Sequence, residues 1–150
     1  MFEYITLYLI LLFAVISQIY QKQQIAWLLV FYGLIIGTFV SAFRDMIGGY
    51  DIYIYAQYFE YIEYKILPYE HGYYLYNLFL SFLSTDRQIL FICTAILFSI
   101  AIYKISNIKN IRYYTVVLFI IFCKLYFYSF VYLRQILAVI IVWWGLYYLV

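Results

Sequence analysis

The chain has 150 residues and a formal net charge of +2; 69% of its residues are hydrophobic and only 11% are charged. A soluble domain has about 45–50% apolar and about 25% charged residues, so this chain lacks the polar residues needed to cover a water-soluble fold. The weak net charge and the lack of a basic run exclude an electrostatic nucleic-acid binder. We therefore expect a membrane protein whose main partner is the lipid bilayer.

Long, continuous apolar runs predict transmembrane helices, because backbone exposed to lipid must satisfy its own hydrogen bonds. A span needs about 20 residues. We predict an all-α, polytopic transmembrane helix bundle that forms a single domain over residues 1–150. About five spans are predicted, approximately at residues 2–19, 25–43, 89–103, 113–132 and 136–150. The last run stops at Val150 without a charged flank, so we expect a fragment of a longer protein, broken inside a helix.

Two features between and within these spans stand out. Residues 44–70 are polar, and we predict that they form an extracytoplasmic loop. The apolar part of residues 70–86 is only about 13 residues long, and three interpretations are open: a re-entrant segment, an interfacial segment or a short span. In the second span Gly33, Gly37 and Ser41 recur every four residues, a pattern that allows another helix to approach closely.

Lysine and arginine set the expected orientation. If residues 70–86 do not cross the membrane, an extracytoplasmic N-terminus places Lys22 and the basic loop at residues 104–112 in the cytoplasm. All seven acidic residues then face outward. We therefore predict an extracytoplasmic N-terminus. Four charged residues then share the outer membrane face: Arg44, Asp51, Glu70 and Arg134.

The first of these charges lie around the end of the second span. Arg44 either extends to the lipid headgroups or presents a guanidinium fork to a phosphate. The tyrosines that follow form either an interfacial aromatic belt or an aromatic face for sugar rings. On a helix, Asp51, Tyr55 and Tyr58 would share one face, and Asp51 is a candidate base.

The other candidates lie at later membrane edges. Glu70 either caps the N-terminus of a helix or acts as an acid in a site of low dielectric constant. Arg134 separates two apolar runs, and a charge beside the membrane is a functional-site hypothesis by default. Lys124, inside the fourth predicted span, is a secondary candidate for the same reason.

The chain offers little for metal or cofactor binding. Cys93 and Cys123 lie inside apolar runs, where we interpret them as small buried hydrophobic side chains. His71 is the only histidine, so no cluster of metal ligands can be assembled from it. We also find no glycine-rich phosphate loop that would indicate a nucleotide. We predict no metal site and no cofactor.

The candidate residues form a more specific pattern when they are read together in chain order. The pattern is an arginine followed by Gly-x-Asp with a tyrosine four residues on, then Glu-x-Gly-aromatic, then Arg-Gln-x-x-Ala. The residues are Arg44, Gly49, Asp51 and Tyr55; Glu70, Gly72, Tyr73 and the following Asn77; and Arg134, Gln135 and Ala138. In this pattern the chain resembles the N-terminal part of the EpsG family, which is related in role to Wzy-type polysaccharide polymerases.

The resemblance implies a multi-pass protein of the bacterial inner membrane. Such a protein joins oligosaccharide repeats carried on undecaprenyl diphosphate at the outer membrane face, as a polymerase or glycosyltransferase of surface polysaccharide. For such a reaction the acceptor hydroxyl needs a base, and we predict Asp51 or Glu70 as the catalytic residue. We predict that substrate is bound by Arg44, Gly49, Tyr55, Tyr73, Asn77, Arg134 and Gln135.

Two alternative functions stay open: a transporter (flippase) of lipid-linked oligosaccharide, and a non-catalytic membrane component of the assembly complex. A transporter would use the arginines and aromatics but would need no catalytic acid. Other membrane proteins of polysaccharide assembly are expected partners. We expect the full-length protein to be an enzyme and the fragment alone to be inactive.

Overall fold

The computed structural model describes residues 2–43, 50–62, 70–106 and 132–149. Within these ranges the chain forms six helices and no strand. The helices are α1 (Phe2–Ile19), α2 (Gln23–Ala42), α3 (Tyr50–Glu60), α4 (His71–Ser81), α5 (Gln88–Ser106) and α6 (Leu133–Leu149). The all-α prediction is confirmed for this part of the chain. The fourth predicted span, with Lys124, lies almost entirely outside the described residues, as do Arg44 and Gly49.

Two of these helices are long and apolar enough to cross a membrane: Gln23–Ala42 and Gln88–Ile105. A helix of 20 residues, such as α2, is about 30 Å long, which matches the hydrocarbon thickness of a bilayer. Two further apolar helices, Ile5–Ile19 and Leu133–Leu149, are shorter. The predicted number of about five spans stays a prediction.

A tight turn joins α1 to α2 as a helical hairpin. Gln21 has a φ of 59°, the left-handed conformation that commonly ends a helix. The amide of Lys22 donates to the carbonyl of Ser17 at 2.9 Å, and that of Gln21 donates to Gln18 at 3.0 Å. This pair of hydrogen bonds is a Schellman motif, which satisfies two of the last carbonyls of α1.

Small residues on α2 bring α1 into close contact. Gly33, Gly37 and Ser41 are all buried. A Cβ atom added at Gly33 would lie 3.5 Å from side-chain carbons of both Ile10 and Leu11. The prediction that this stripe admits a neighbouring helix is therefore confirmed at Gly33, and the neighbour is α1.

Contacts at both ends show that α2 and α5 run antiparallel. The side-chain amide of Gln88, the first residue of α5, donates to the carbonyl of Ala42, the last residue of α2. At the opposite ends the rings of Trp27 and Tyr103 lie 6.3 Å apart. We call the end where α2 finishes and α5 begins the upper end, and the other the lower end.

Helix α6 runs parallel to α5, so both begin at the upper end. At the lower end Lys104 Nζ donates to the hydroxyl of Tyr148 at 3.1 Å and lies 4.9 Å from the ring centre of Trp144. At the upper end, Leu133 of α6 belongs to the same buried cluster as Leu90 of α5. These contacts place the first residues of α6 next to α4 and α5.

The short helices α3 and α4 lie at the upper end. Each has 11 residues, about 16 Å of helix, too short to span a bilayer. Their apolar faces share one buried cluster with the upper ends of α5 and α6. Because α4 starts beside α6 and Ser81 leads directly toward α5, residues 70–86 begin and end at the upper end of the bundle.

Helix α3 forms within the stretch that the sequence predicted as a loop. Ile52, Ala56 and Phe59 are almost completely buried and recur at helical spacing, which gives the segment one apolar face. Tyr55 and Tyr58 extend this face. Because residues 44–70 are polar overall, their hydropathy did not indicate this short amphipathic helix, whose buried side packs on the bundle.

Candidate functional site

An ion pair joins the start of α4 to the start of α6. Nη1 of Arg134 lies 3.0 Å from both carboxylate oxygens of Glu70. The Arg134 side chain is 35% exposed and that of Glu70 is 65% exposed. The pair brings together two residues that lie 64 positions apart in the sequence. Because it is solvated, it can be broken and re-formed at small energetic cost.

Glu70 occupies the N-cap position of α4 without capping the helix through its side chain. Its φ and ψ of −57° and 142° are those of an N-cap residue, and no side-chain cap hydrogen bond is formed. The carboxylate turns to Arg134 instead. The structure therefore does not show the interpretation in which the Glu70 side chain caps α4. The positive end of the α4 dipole faces the same region as Arg134.

A cleft of about 610 Å³ opens beside this ion pair between α4 and α6. Glu70, Gly72, Tyr73 and Tyr76 line it from α4, and Leu97 contributes from α5. One face of α6 forms the opposite wall: Arg134, Gln135, Leu137, Ala138, Ile140, Ile141 and Trp144. We call this the α4–α6 cleft. Its volume is that of a small-molecule site.

Three tyrosines form an aromatic group next to the cleft. The ring of Tyr73 lies edge-on to that of Tyr55, with centroids 5.7 Å apart. It stacks on that of Tyr58 at 6.1 Å with an interplanar angle of 22°. Tyr73 itself lines the cleft. The group joins α3 to α4 and places α3 against the site.

Electrostatic interactions place Tyr55 close to the charged residues of the site. Burial raises the pKa of Tyr55 above its ordinary value of 10.0. The positive charge of Arg134 opposes this rise, whereas the negative charges of Asp51 and Glu70 add to it. Tyr55 therefore lies within the field of all three charged residues, and its hydroxyl is neutral at physiological pH.

The remaining predicted site residues fall into different environments. Gln135 is exposed and lines the cleft. Asp51 is half-buried on α3 and does not line the cleft. Asn77 is completely buried, does not line the cleft, and donates from Nδ2 to the carbonyl of Tyr73 at 2.7 Å. Its contact is with its own helix, so it supports α4 near Tyr73.

The sequence did not point to the lower part of the cleft. Tyr76, Leu97 and Trp144 line it, but none of them was a candidate. The available signal was helical spacing, because residues three, four, seven and ten or eleven positions after Arg134 share its face of a helix. The hydroxyl groups of Tyr76 and Thr94 also form a hydrogen bond at 3.1 Å, which fixes the position of Tyr76 against α5.

A second ion pair at the upper end does not belong to the cleft. Nη1 of Arg87 lies 3.5 Å from a carboxylate oxygen of Glu60, and both side chains are more than one-third exposed. This pair links α3 to the turn before α5. It provides a matched control for Arg134 and Glu70, since it has the same chemistry outside the cleft.

Comparison with known families settles the identity of the chain. The sequence model of the EpsG family matches residues 34–150. The chain belongs to the EpsG family. The resemblance drawn from Arg44, Glu70 and Arg134 is thus confirmed, and the EpsG match includes the whole α4–α6 cleft. Comparison with curated proteins and with solved structures gave no match.

Membership in the EpsG family indicates a membrane protein of polysaccharide biosynthesis. The two membrane-length helices agree with this class. In this EpsG protein, the residues of the second and third motifs meet at one place. Glu70, Gly72 and Tyr73 line the cleft from one side, and Arg134, Gln135 and Ala138 line it from the other.

Proposed function

We propose that this EpsG protein is a polymerase of surface polysaccharide that joins oligosaccharide repeats carried on undecaprenyl diphosphate. The observation that carries the proposal is the ion pair of Glu70 and Arg134 at the mouth of the α4–α6 cleft. It combines a permanent cation, which suits a diphosphate, with a carboxylate, which suits an attacking hydroxyl. Family membership supports a role in polysaccharide biosynthesis, and the lipid-linked substrate is part of the proposal.

Arg134 would bind the diphosphate of the donor and stabilise it as it leaves. A guanidinium fork matches phosphate oxygens in geometry and keeps its charge at any physiological pH. The N-terminus of α4 points into the same region, where backbone N–H groups and the helix dipole favour an anion. Stabilising charge that develops on a leaving group is a strong contribution to catalysis.

A carboxylate would accept the proton of the attacking sugar. The acceptor hydroxyl oxygen forms a bond to the anomeric carbon of the donor sugar, and the bond from that carbon to the diphosphate oxygen breaks. Its electron pair leaves with the diphosphate, and the hydroxyl proton passes to Glu70 or Asp51. Glu70 lines the cleft and Asp51 does not, which favours Glu70.

The tyrosine group would hold sugar rings. Tyr73 lines the cleft, and Tyr55 and Tyr58 contact its ring. Sugars present apolar C–H faces that can pack on aromatic rings. Arg44 and Gly49, which lie outside the described residues, are proposed to complete the diphosphate site together with Gln135.

The proposed setting is the bacterial inner membrane, which the chain crosses about five times from an extracytoplasmic N-terminus. The upper end then faces outward with Asp51, Glu70 and Arg134. Lys22 and Lys104 lie at the lower end, which the distribution of lysine and arginine assigns to the cytoplasm. Other membrane proteins of polysaccharide assembly are proposed partners.

The test compares two arginines at the same end of the bundle. Cells that lack the native gene are complemented with Arg134→Ala or with Arg87→Ala, and the surface polysaccharide is separated by length on a gel. We expect Arg134→Ala to give single repeats and short chains, because the leaving diphosphate loses its cation. Arg87→Ala should give normal chains, since Arg87 is ion-paired outside the cleft.

Two outcomes would contradict the proposal. Long chains at normal abundance from Arg134→Ala, with the protein present in the membrane, would remove Arg134 from the reaction. Single repeats that accumulate on the cytoplasmic face in Arg134→Ala cells would favour a flippase, since a polymerase acts after transfer across the membrane. Protection of the repeats from an external glycosidase distinguishes the two faces.

A further inference from the structure

The lower part of the α4–α6 cleft changes from charged to apolar within a short distance. Below Arg134 and Gln135, the wall formed by α6 continues with Leu137, Ala138 and Ile141. Ile141 is 72% exposed, so the cleft is open along its side and not an enclosed cavity. The proposed reaction uses the charged mouth and the tyrosine group beside it, and leaves this apolar part unassigned.

The apolar part of the cleft is deep compared with the thickness of a bilayer. Between Arg134 and Trp144, which lines the deep end, the axis of α6 rises about 15 Å at 1.5 Å per residue. A bilayer has a hydrocarbon core about 30 Å thick. With Arg134 at the outer membrane face, the cleft would extend through the outer leaflet to the middle of the bilayer.

A second apolar depression on the same molecule serves as a comparison for the α4–α6 cleft. A groove of about 460 Å³ lies between α2 and α5 and is lined by residues such as Phe31, Ile35, Ile96 and Ile100. We call it the α2–α5 groove. No charged residue of the described chain lines it, and its polar lining is confined to Thr38, Ser99 and Tyr103. Of these two depressions, the α4–α6 cleft is the one that combines an apolar wall with a cation at its mouth.

We infer that the α4–α6 cleft binds the hydrocarbon tail of an isoprenoid diphosphate, with the diphosphate at Arg134 and the first isoprene units along Ala138 and Ile141. The inference rests on the proposed function for the substrate class and adds the place of the tail. Charge favours this occupant, because a diphosphate carries more negative charge than the exposed carboxylate of Glu70, can replace it beside Arg134, and is directly joined to an apolar chain. The apolar wall then stabilises the chain by burial.

The test uses a photoreactive probe and the purified protein in nanodiscs. The probe is geranylgeranyl diphosphate with a diazirine on its last isoprene unit, and labelled peptides are located by mass spectrometry. We expect labels on α6 between Leu137 and Trp144. Excess unlabelled geranylgeranyl diphosphate should remove them, whereas excess phosphatidylglycerol in the nanodisc should not.

Matched substitutions test the two apolar depressions. Ala138 is exposed on the cleft wall, so Ala138→Trp fills the cleft and Ala138→Leu fills part of it. Excluding about two methylene groups from burial weakens binding roughly tenfold, and we expect at least this loss of labelling in Ala138→Trp, with a smaller loss in Ala138→Leu. Ile100→Trp, in the α2–α5 groove, should label as the unmodified protein does.

Three outcomes would overturn the inference: unchanged labelling in Ala138→Trp, labels concentrated in the α2–α5 groove, or equal competition by phosphatidylglycerol. The last would assign the cleft to bilayer lipid. Failure of the inference is distinct from failure of the proposed function. Normal polymer from Arg134→Ala refutes the polymerase proposal even where labelling is as expected, and unchanged labelling in Ala138→Trp refutes the tail site even where Arg134→Ala abolishes polymer.

Discussion

Replacing Glu70 by glutamine should tighten the binding of a diphosphate while it shortens the polymer. The carboxylate of Glu70 occupies the position beside Arg134 that a diphosphate would take, with both oxygens 3.0 Å from Nη1. An incoming diphosphate must displace it. Glu70→Gln keeps the shape of the side chain and removes the competing charge.

The size of the effect follows from the exposure of the pair. Two unit charges about 4 Å apart attract by about 1 kcal/mol in water and by about 4 kcal/mol at an effective dielectric constant of 20. Because the side chains of Arg134 and Glu70 are 35% and 65% exposed, the lower value applies. A change of about 1 kcal/mol is about fivefold in the dissociation constant.

Isothermal titration of the purified protein with inorganic pyrophosphate measures this change. We expect about fivefold tighter binding to Glu70→Gln at low salt and a smaller difference at high salt, because salt screens exposed charges. Glu60→Gln, which breaks the ion pair with Arg87 outside the cleft, should leave the affinity unchanged. Unchanged or weaker binding to Glu70→Gln would refute the competition between Glu70 and the diphosphate.

Three further predictions concern packing, the turn and the tyrosine group. Gly33→Ala should be tolerated, because its Cβ would lie at ordinary contact distance, 3.5 Å from Leu11. Gly33→Leu should destabilise the hairpin by about 1–3 kcal/mol, because the larger side chain overfills the contact. Thermal unfolding in detergent measures both variants, and equal stability would contradict the close packing. Gln21→Gly should stabilise the protein by up to about 1 kcal/mol in the same assay, since glycine adopts a φ of 59° without steric cost. Burial holds the pKa of Tyr55 above its ordinary 10.0, and Arg134 opposes that rise, so Arg134→Ala should raise this pKa further. As the pH rises past 10, the unfolded chain loses the phenol proton of Tyr55 before the folded chain does. The stability that this bound proton contributes is therefore present below pH 10 and is lost as the pH rises through the raised pKa of the folded protein. Carbon-13 tyrosine NMR, assigned with Tyr55→Phe, measures the shift, and a lowered value in Arg134→Ala would contradict the placement.

The long helices were predictable because lipid is a uniform solvent. A continuous apolar run of membrane length admits few structures other than a helix, and α1 and α2 occur within two residues of their predicted positions. Close packing at Gly33 was predictable for the same kind of reason, since small residues at helical spacing have a direct steric consequence.

The short helices at the upper end were harder to predict. Helix α3 mixes tyrosine, a residue with apolar and polar parts, among its buried and exposed positions, so hydropathy alone does not show its buried face. That face is set by packing on α4 and α5, which is tertiary information. Glu70 illustrates the same limit, because its local sequence favours capping of α4, whereas the carboxylate contacts Arg134 from a distant part of the chain.

The candidate site was predictable in its residue types and not in its shape. The motif resemblance selected Glu70, Tyr73, Arg134 and Gln135, and these four line one cleft. It did not indicate that the cleft continues to Trp144, because apolar residues on a membrane helix look alike in sequence whether they face lipid, a neighbouring helix or a ligand.

The most direct test of the central claim is reaction of the purified full-length protein with its lipid-linked oligosaccharide repeat in proteoliposomes. The products are followed as polymer length and as released isoprenoid diphosphate. We expect long chains and one released diphosphate for each bond formed, with both lost in Arg134→Ala and both retained in Arg87→Ala. Movement of the lipid-linked repeat across the bilayer, with no new glycosidic bond and no released diphosphate, would contradict the claim that this cleft joins sugars.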